Sequence, residues 1–300
     1  MESIRGKRLV IFGCGYVGTA IAREAQAMGL RVEALTRNPD RAAALVKLGA
    51  AAVVVDLATD TWHQRIAPGA EFVLNCVSSG GGGAAEYRRS YVGGMQSILG
   101  WAGRSAVGTF VYTSSTSVYP QTGGMVVDET APTEGAGANG RILLEAEALL
   151  RKAGPACGRW FILRLAGIYG PGRHHLLDQI LDGAAEMAGS GEQRLNLAHR
   201  DDIAGAVWSA FMAPATSVDR IFNVADGCPG TKAEVVDWLA AQVGRAPPRF
   251  SGGPASVRRG FAEPPDRLIG NARLRAELGW RPAYVSFREG YRQILSGLAS

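Results

Sequence analysis

Three glycines near the amino terminus have the spacing of a phosphate-binding turn. Gly13, Gly15 and Gly18 belong to the run Gly13-Cys14-Gly15-Tyr16-Val17-Gly18, which matches G-x-G-x-x-G. In such a run the first glycine permits a tight turn, the second lets a pyrophosphate approach the backbone, and the third lets a helix pack on a strand. The helix then presents free N–H groups to the phosphates. The motif predicts a dinucleotide site that includes Tyr16 and Val17.

The residues after the second apolar segment indicate which dinucleotide binds. An Asp or Glu at that place would hydrogen-bond the ribose 2′-hydroxyl and repel a 2′-phosphate. The chain has Leu35-Thr36-Arg37-Asn38 there, with Thr36 at the acidic position and Arg37 beside it. An Arg fork suits a phosphate dianion. The sequence therefore favours NADP(H) over NAD(H), and a solvated loop charge is the alternative interpretation of Arg37.

The elements that must position these residues alternate between strand and helix. Apolar runs of strand length occupy residues 9–12, 32–35, 52–55, 72–74, 109–112 and 160–163, and helical periodicity occupies 16–28, 40–48, 85–103 and 143–152. Continuous apolar strands between helices are typical of a parallel sheet covered on both faces. We therefore predict an α/β fold: a doubly wound parallel sheet of the Rossmann type with a smaller C-terminal substrate lobe.

The regular alternation ends at Gly170-Pro171-Gly172. We expect a dinucleotide-binding Rossmann domain over residues 1–170, which residues 195–225 rejoin, and a substrate-binding lobe made of 171–194 and 226–300. Segments 201–211 and 221–224 are predicted to return to the main sheet. Helices are predicted near 231–244 and 285–298.

Composition excludes several classes of function. The 300 residues carry a formal charge of +5, from 32 basic and 27 acidic side chains that are scattered along the chain, so no nucleic-acid partner is expected. No signal peptide and no apolar run of about 18 residues is visible, which predicts a cytoplasmic protein that does not enter a membrane. The four cysteines form no CxxC pair and no cluster with the four histidines. We expect reduced thiols and no metal site.

Five segments, taken in order, resemble the extended short-chain dehydrogenase/reductases, the NAD(P)-dependent epimerase/dehydratase family, and in particular its atypical members. The resemblance covers nearly the whole chain. It rests on Gly13 to Gly18, Asp56-Leu57, Ser114-Ser115-Thr116-Ser117-Val118-Tyr119, the run from Leu163 to Arg173, and His199-Arg200-Asp201-Asp202-Ile203-Ala204.

The resemblance implies a role for individual residues. Asp56 would accept a hydrogen bond from the adenine amino group with Leu57 beside the ring, and the Ser115 hydroxyl would bond the substrate carbonyl. Other positions would contact the cofactor or the substrate near the nicotinamide: Asn75, Cys76, Val77, Tyr169, Gly170 and Pro171. A helix cap at Asp56, a turn serine at Ser115 and a structural turn after the sixth strand are the alternatives. Homodimers through helices 85–103 and 141–152 are common in the resembled family.

One departure from the family decides the mechanism. The family uses a Tyr and a Lys four residues apart on the helix after the fifth strand, where the Tyr exchanges a proton with the substrate and the Lys lowers the tyrosine pKa. Asn139 and Leu143 stand at those positions, and none of the eight tyrosines is followed by a Lys four residues later. The usual proton relay is therefore absent.

Three functional hypotheses are compatible with this departure. The first is an NADP(H)-dependent oxidoreductase or epimerase for a small carbonyl or sugar-type substrate, in which Ser115 orients the substrate and another group donates the proton. The candidate donors are Tyr119, Tyr169, His175 and His199. The second is a catalytically silent NADP(H)-binding sensor. The third is lyase or isomerase chemistry that needs no tyrosine.

The predicted substrate lobe is rich in arginine. Eight arginines lie between Arg245 and Arg281, against Glu263, Asp266 and Glu277. Such a surplus could hold an anionic substrate group, and solvated surface is the equal alternative. Pro247-Pro248 and Pro264-Pro265 indicate stiffened loops of the kind that can form a lid.

Overall fold

A computed structural model describes residues 4–79, 81, 83–252 and 266–298. Its strands are β1 Arg8–Phe12, β2 Arg31–Thr36, β3 Ala51–Val54, β4 Phe72–Asn75, β5 Val107–Ser115, β6 Met125–Val127, β7 Cys157–Leu165, β8 Gly167–Tyr169, β9 Glu186–Met187, β10 Arg194–Leu195, β11 Leu197–His199, β12 Arg220–Val224, β13 Gly230–Thr231, β14 Arg249–Phe250 and β15 Arg267–Ile269. Its α-helices are α1 Tyr16–Ala27, α2 Pro39–Lys47, α3 Gly83–Arg88, α4 Gly94–Ala102, α5 Ala138–Arg151, α6 His175–Leu181, α7 Arg200–Phe211, α8 Lys232–Gln242, α9 Ala272–Glu277 and α10 Phe287–Leu298. Arg258, Arg259, Glu263 and Pro264-Pro265 lie outside the described residues.

The main sheet has seven strands in the order β12-β7-β5-β4-β1-β2-β3. Strand β1 lies between β2 and β4 and pairs in parallel with both, so that Leu9 is opposite Val32 on one side and Phe72 on the other. Helices flank the sheet, and the predicted doubly wound parallel fold is confirmed. The strand order reverses beside β1, between β1 and β4. In sheets of this kind ligands bind at that reversal, outside the carboxyl ends of the strands.

The centre of the sheet is completely apolar. Leu9, Val10, Ile11 and Phe12 have no exposed surface, as expected for a strand covered on both faces. The Phe12 ring packs edge-on against Trp62 at 5.2 Å and against Trp101 at 5.4 Å between centroids. Three buried aromatic side chains therefore hold the strand that leads into the glycine run.

The chain divides into two compact units. Unit 1 contains Met1–Ser115, Asn139–Arg164 and Ala204–Phe222, and unit 2 contains Thr116–Ala138, Leu165–Ile203 and Asn223–Ser300. The apolar core of unit 1 lies around β1, β4 and β5, and that of unit 2 lies around α6, α8 and α10. The functional boundaries expected from the sequence, near residues 170 and 225, stay a prediction.

A buried ion pair ties three elements of unit 1 together. Glu147 on α5 accepts bonds from Arg164 of β7, at 3.1 Å from Nε to Oε1 and 2.7 Å from Nη2 to Oε2. The Ser114 hydroxyl, at the end of β5, donates to the same carboxylate at 2.6 Å. The two charged side chains are only 2% and 5% exposed. Removing one partner would leave the other charge buried and uncompensated.

We therefore expect Glu147→Ala to lower the free energy of unfolding by about 3–5 kcal/mol. The matched control is Glu145→Ala on the same helix. The Glu145 side chain is 41% exposed and pairs with Arg88, whose side chain is 55% exposed. Such a surface pair contributes about 0–1 kcal/mol. Urea unfolding of both variants measures the difference, and equal losses would contradict the stabilising role assigned to the Glu147 pair.

Unit 2 buries a carboxyl group that lacks a full set of partners. Asp226 accepts a bond from the Cys228 N–H at 3.1 Å through Oδ1, but its buried Oδ2 has no hydrogen-bond partner among the described residues. Burial disfavours the charged form and raises the pKa of Asp226 to about 7.

This shift predicts a pH-dependent stability. The native protein holds the Asp226 proton up to about pH 7, whereas the unfolded chain loses it near about pH 3.9. The stabilising effect of the proton is therefore complete below about pH 3.9 and is lost as pH rises towards 7. We expect the stability of the native chain, relative to Asp226→Asn, to fall across that range by a few kcal/mol, roughly 1.4 per pKa unit. Urea unfolding at several pH values checks this, and a constant difference would contradict it.

Candidate dinucleotide site

The first glycine of the run makes a turn that only glycine fits. Gly13 follows β1 with φ +86°, and a Cβ there would lie 2.6 Å from the Cα of Val77. The backbone just after β1 thus touches the backbone just after β4. A Cβ at Gly18 would lie 2.8 Å from the Cys76 Sγ, and that thiol donates to the Gly13 carbonyl at 3.1 Å. Cys76 thus supports the turn from below.

The space over Gly15 is open. A Cβ on this residue would have no neighbour closer than the Nη1 of Arg41, at 3.5 Å. Gly15 is the N-cap of α1, no side chain caps the helix, and its first turn carries no acidic residue. The amino-terminal N–H groups of a 12-residue helix therefore face this space together with a guanidinium group. That arrangement suits a pyrophosphate.

A cavity of about 430 Å³ extends from this turn along the ends of β2 and β3. Its lining includes seven residues predicted from the sequence: Gly13, Gly15, Thr36, Arg37, Asp56, Leu57 and Val77. Five other predicted residues do not line it: Tyr16, Val17, Gly18, Asn75 and Cys76. Gly18 and Cys76 lie under the glycine turn. The buried Asn75 accepts a bond from the Val77 N–H at 3.2 Å.

Charged side chains surround the cavity in pairs. Arg37 is 44% exposed and donates to Glu86 at 3.1 Å. The Asp56 carboxylate binds Arg89 through one oxygen and accepts the Ala58 N–H at 3.0 Å through the other. Burial alone would raise the pKa of Asp56, but these two hydrogen bonds outweigh it and lower that pKa. Asp56 is thus held ionised at the edge of the cavity.

Sequence reasoning missed several residues of this lining, of which Arg41 matters most. Asn38 caps α2 by accepting the Arg41 N–H at 2.9 Å, and Pro39 occupies the first turn of that helix. Asn followed by Pro is a helix-start signal, and applying it would have placed Arg41 one turn after Arg37. Ser78 and Ser90 also line the cavity, and no sequence signal marks them.

The proposed catalytic residues lie in different surroundings. Ser115 ends β5 and is half-buried. Tyr119 is fully buried in unit 2, where its hydroxyl donates to Asn223 at 2.8 Å. Tyr169 is buried in the same unit, with its ring 5.2 Å from His199 and 5.1 Å from Tyr291.

The Tyr169 hydroxyl has no hydrogen-bond partner among the described residues, and burial raises its pKa far above the ordinary value. Neither this hydroxyl nor that of Tyr119 has solvent access in this structure. The catalytic roles of Tyr119, Tyr169 and Ser115 stay predictions, as does the cofactor contact of Pro171, which lies in the turn between Gly170 and Arg173.

Asn139 and Leu143 lie in the first turns of α5, where the sequence predicted them. Leu143 is a buried apolar residue, and Asn139 is half-buried. Neither side chain can act as a tyrosine–lysine relay.

Three arginines of the predicted substrate lobe bond other residues of unit 2. Arg267 is buried and donates to the Thr116 carbonyl at 2.7 Å. Arg273 pairs with Glu277 at 2.9 Å, and Arg281 donates to the Arg275 carbonyl at 2.7 Å. These contacts favour the structural interpretation for these three residues. Within the described part of the chain no helix is long and apolar enough to cross a membrane, and no group of three His, Cys, Asp or Glu side chains could hold a metal ion.

Comparison with known proteins shows the family to which this chain belongs. The model of the NAD dependent epimerase/dehydratase family matches residues 9–225, which include the glycine turn, the cavity and Ser115. The chain belongs to this family. The resemblance expected from the five sequence segments is therefore confirmed.

Individual relatives are similar over much of the chain. Protein YeeZ of Escherichia coli (strain K12) is 27% identical over 287 residues, or 93% of this chain and 96% of that protein. A 3-diazoavenalumate denitrifying reductase of Streptomyces sp is 28% identical over 179 residues, 53% of this chain and 54% of that protein. The structure of MoeE5 in complex with UDP-glucuronic acid and NAD is similar with a TM-score of 0.81 at 21% identity, over 98% of this chain and 99% of that one. At that identity the structural likeness shows the fold.

The close approach at Gly13 predicts that an added methyl group lowers stability more there than at a glycine with open space around it. Gly13→Ala would combine a left-handed backbone with a 2.6 Å contact to Val77, and we expect it to lower stability by about 2–4 kcal/mol. Gly6→Ala is the control, because Gly6 has φ +79° and an added Cβ would meet nothing within 4 Å. It should cost only about 1–2 kcal/mol of backbone strain. Thermal unfolding of both variants tests this, and a Gly6 cost as large as that of Gly13 would refute it.

Proposed function

We propose that this chain is an NADP(H)-dependent oxidoreductase or epimerase that acts on a small carbonyl or sugar-type substrate with a proton donor other than the Tyr-x-x-x-Lys pair. The observation that carries the cofactor choice is the pair Arg37 and Arg41 in the lining of the cavity, where β2 ends without an acidic residue. The substrate class is supported by the family and by relatives whose names include a reductase and a protein that binds a sugar nucleotide.

The residues present fit a dinucleotide on structural grounds. The open space over Gly15 provides room for the pyrophosphate, and the amino terminus of α1 provides its N–H donors. Arg37 and Arg41 supply two guanidinium groups for a 2′-phosphate, and Asp56 with Leu57 line the place for adenine. A guanidinium group can bind a phosphate through two parallel N–H···O bonds, so these two arginines suit a phosphate ligand. When bound, NADPH would supply a hydride to the substrate carbon.

The chain itself would contribute binding, orientation and charge. The glycine turn and the two arginines hold the cofactor phosphates at the carboxyl ends of the strands. The Ser115 hydroxyl, at the end of β5, would donate to the substrate oxygen and orient the carbonyl. Ser114 next to it is fixed by Glu147 at 2.6 Å, so the backbone that carries Ser115 has a defined position. Such positioning supplies much of the rate in hydride transfer.

A second function is favoured by a specific observation. Leu143 is buried and apolar on α5, and a chain that has lost the relay can bind NADP(H) without turning over a substrate. The alternative is therefore a catalytically silent NADP(H) sensor. The two functions differ in one measurable property: an enzyme consumes the near-ultraviolet absorbance of bound NADPH when a carbonyl substrate is present, and a sensor does not.

The cofactor proposal predicts a charge-specific loss of affinity. Arg37→Ala and Arg41→Ala should each weaken NADPH binding by about 10- to 100-fold, because each removes a charge-assisted hydrogen bond of about 1.5–3 kcal/mol. NADH, which lacks the 2′-phosphate, should bind Arg37→Ala nearly as well as it binds the unaltered protein. Arg41→Ala should weaken the binding of both nucleotides, because the Arg41 guanidinium also lies over the pyrophosphate space at Gly15. Titration followed by nicotinamide fluorescence measures both nucleotides.

Arg104→Ala is the control for loss of one positive charge, because Arg104 is exposed in unit 1 and does not line the cavity. It should change neither affinity by more than about twofold, as expected for a screened surface charge. Tighter binding of NADH than NADPH by the unaltered protein would overturn the cofactor choice. Binding of neither nucleotide would overturn the whole proposal.

A further inference from the structure

We propose that the Tyr91 hydroxyl donates the proton to the substrate oxygen. This inference rests on the proposed function, since it names the group that replaces the missing relay. It uses only contacts within unit 1. Tyrosine is the residue type that the reaction needs, because a phenol can give a proton to an alkoxide as it forms and recover it from water.

Tyr91 follows a residue of the cavity lining directly in the chain. Its neighbour Ser90 lines the cavity, as do Val77 and Ser78, which come after β4. Tyr91 and Val77 pack on the same apolar cluster, which also contains Leu57 and Tyr112. Tyr112 is opposite Asn75 in the register of β4 and β5, at the carboxyl end of β4. Tyr91 and Tyr112 therefore share one apolar cluster with two residues of the cavity lining, Leu57 and Val77.

Tyr87, Tyr91 and Tyr112 lie close to one another in unit 1. The rings of Tyr87 and Tyr91 are 4.4 Å apart between centroids. Both are half-buried, whereas Tyr112 is 1% exposed and its hydroxyl has no hydrogen-bond partner among the described residues. Burial raises the pKa of Tyr112, and nearby Tyr91, Glu147 and Tyr87 raise it further. Tyr112 thus stays protonated in the interior, and the half-exposed Tyr91 is better placed to exchange a proton.

The backbone at Tyr91 has an uncommon conformation. Residues Arg89–Gly93 form a π-helical turn between α3 and α4. Single π turns inside helices are rare and occur frequently at functional sites, because the extra residue changes the direction of the side chains. Arg89 in the same turn binds Asp56, and Arg88 binds Glu145 of α5. These ion pairs anchor the chain just before Tyr91.

The proton step is balanced within the proposed reaction. Bound NADPH would supply a hydride to the carbonyl carbon, and the oxygen, which would then hold the former C=O π pair, would take the Tyr91 proton. The O–H bond of Tyr91 breaks, leaves a phenolate, and forms again with a proton from water. The charged side chains next to Tyr91 in the chain are Glu86, Arg88 and Arg89, and they pair with Arg37, Glu145 and Asp56, respectively.

The first test needs no substrate. The dissociation constants of NADP+ and NADPH are measured between pH 7 and 10 for the unaltered protein, Tyr91→Phe and the matched control Tyr87→Phe. A phenolate near the nicotinamide attracts the oxidised, positively charged ring. We expect the preference for NADP+ over NADPH to increase at least tenfold with pH in the unaltered protein and in Tyr87→Phe. It should stay flat in Tyr91→Phe.

A second readout is NADPH consumption with the best substrate from a carbonyl panel. Tyr91→Phe should lower kcat by about 10²–10⁴-fold, the usual contribution of general acid catalysis, with the NADPH dissociation constant unchanged. A pH-dependent preference in Tyr91→Phe equal to that of the unaltered protein would overturn the assignment while leaving the proposed function intact. If neither nucleotide binds to the unaltered protein, the proposed function fails, and the assignment of Tyr91 fails with it.

Discussion

The contact between the backbones at Gly13 and Val77 is the constraint on which the site depends. Strands β1 and β4 are neighbours in the sheet, and the chain leaves both of them at the same edge. A side chain at Gly13 would push the backbones after the two strands apart. The Cys76 thiol fills the remaining space below the turn and bonds the Gly13 carbonyl. Because this packing is tight, the amino terminus of α1 has a fixed position, and open space begins above Gly15.

The electrostatics of the site follow from this arrangement. A helix amino terminus, Arg37 and Arg41 place positive charge around the cavity, while Asp56 is ionised at its edge and bound to Arg89. Arg37 has a partner at the surface in Glu86, so its guanidinium group is held near the cavity without being buried. Such charges are only partly screened across a cavity, and they suit a ligand with several phosphates.

The interior of unit 1 also contains a pair of opposite charges. Glu147 and Arg164 are almost completely buried and satisfy each other, with Ser114 as a third partner. The net stabilisation by a buried pair is small, but removal of one partner leaves an uncompensated buried charge and destabilises the protein strongly. The pair therefore specifies how α5, β5 and β7 pack together. The end of β5 is thereby fixed beside Ser115, although the helix lacks the tyrosine and lysine that the resembled family uses.

Local sequence patterns determined the larger features of this protein. The alternation of apolar strands and helices predicted the doubly wound sheet, including the return of residues 221–224 as β12. The glycine spacing predicted the turn, and the absence of a Lys four residues after any tyrosine is a fact of the sequence. These features depend on residues close together in the chain, where periodicity and backbone freedom act directly.

The tertiary structure decided which distant residues meet. Cys76 lies under a glycine turn more than 55 residues before it, and Arg41 reaches over Gly15 from another helix. Tyr119 and Tyr169 are buried in unit 2, whereas Tyr91 packs on the apolar cluster of unit 1 that contains Leu57 of the cavity lining. Burial and contact of this kind depend on how elements pack, and a side chain's distance along the chain does not encode its neighbours in space. The sequence alone thus predicted the glycine turn, and only the packing brought Cys76 and Arg41 to it.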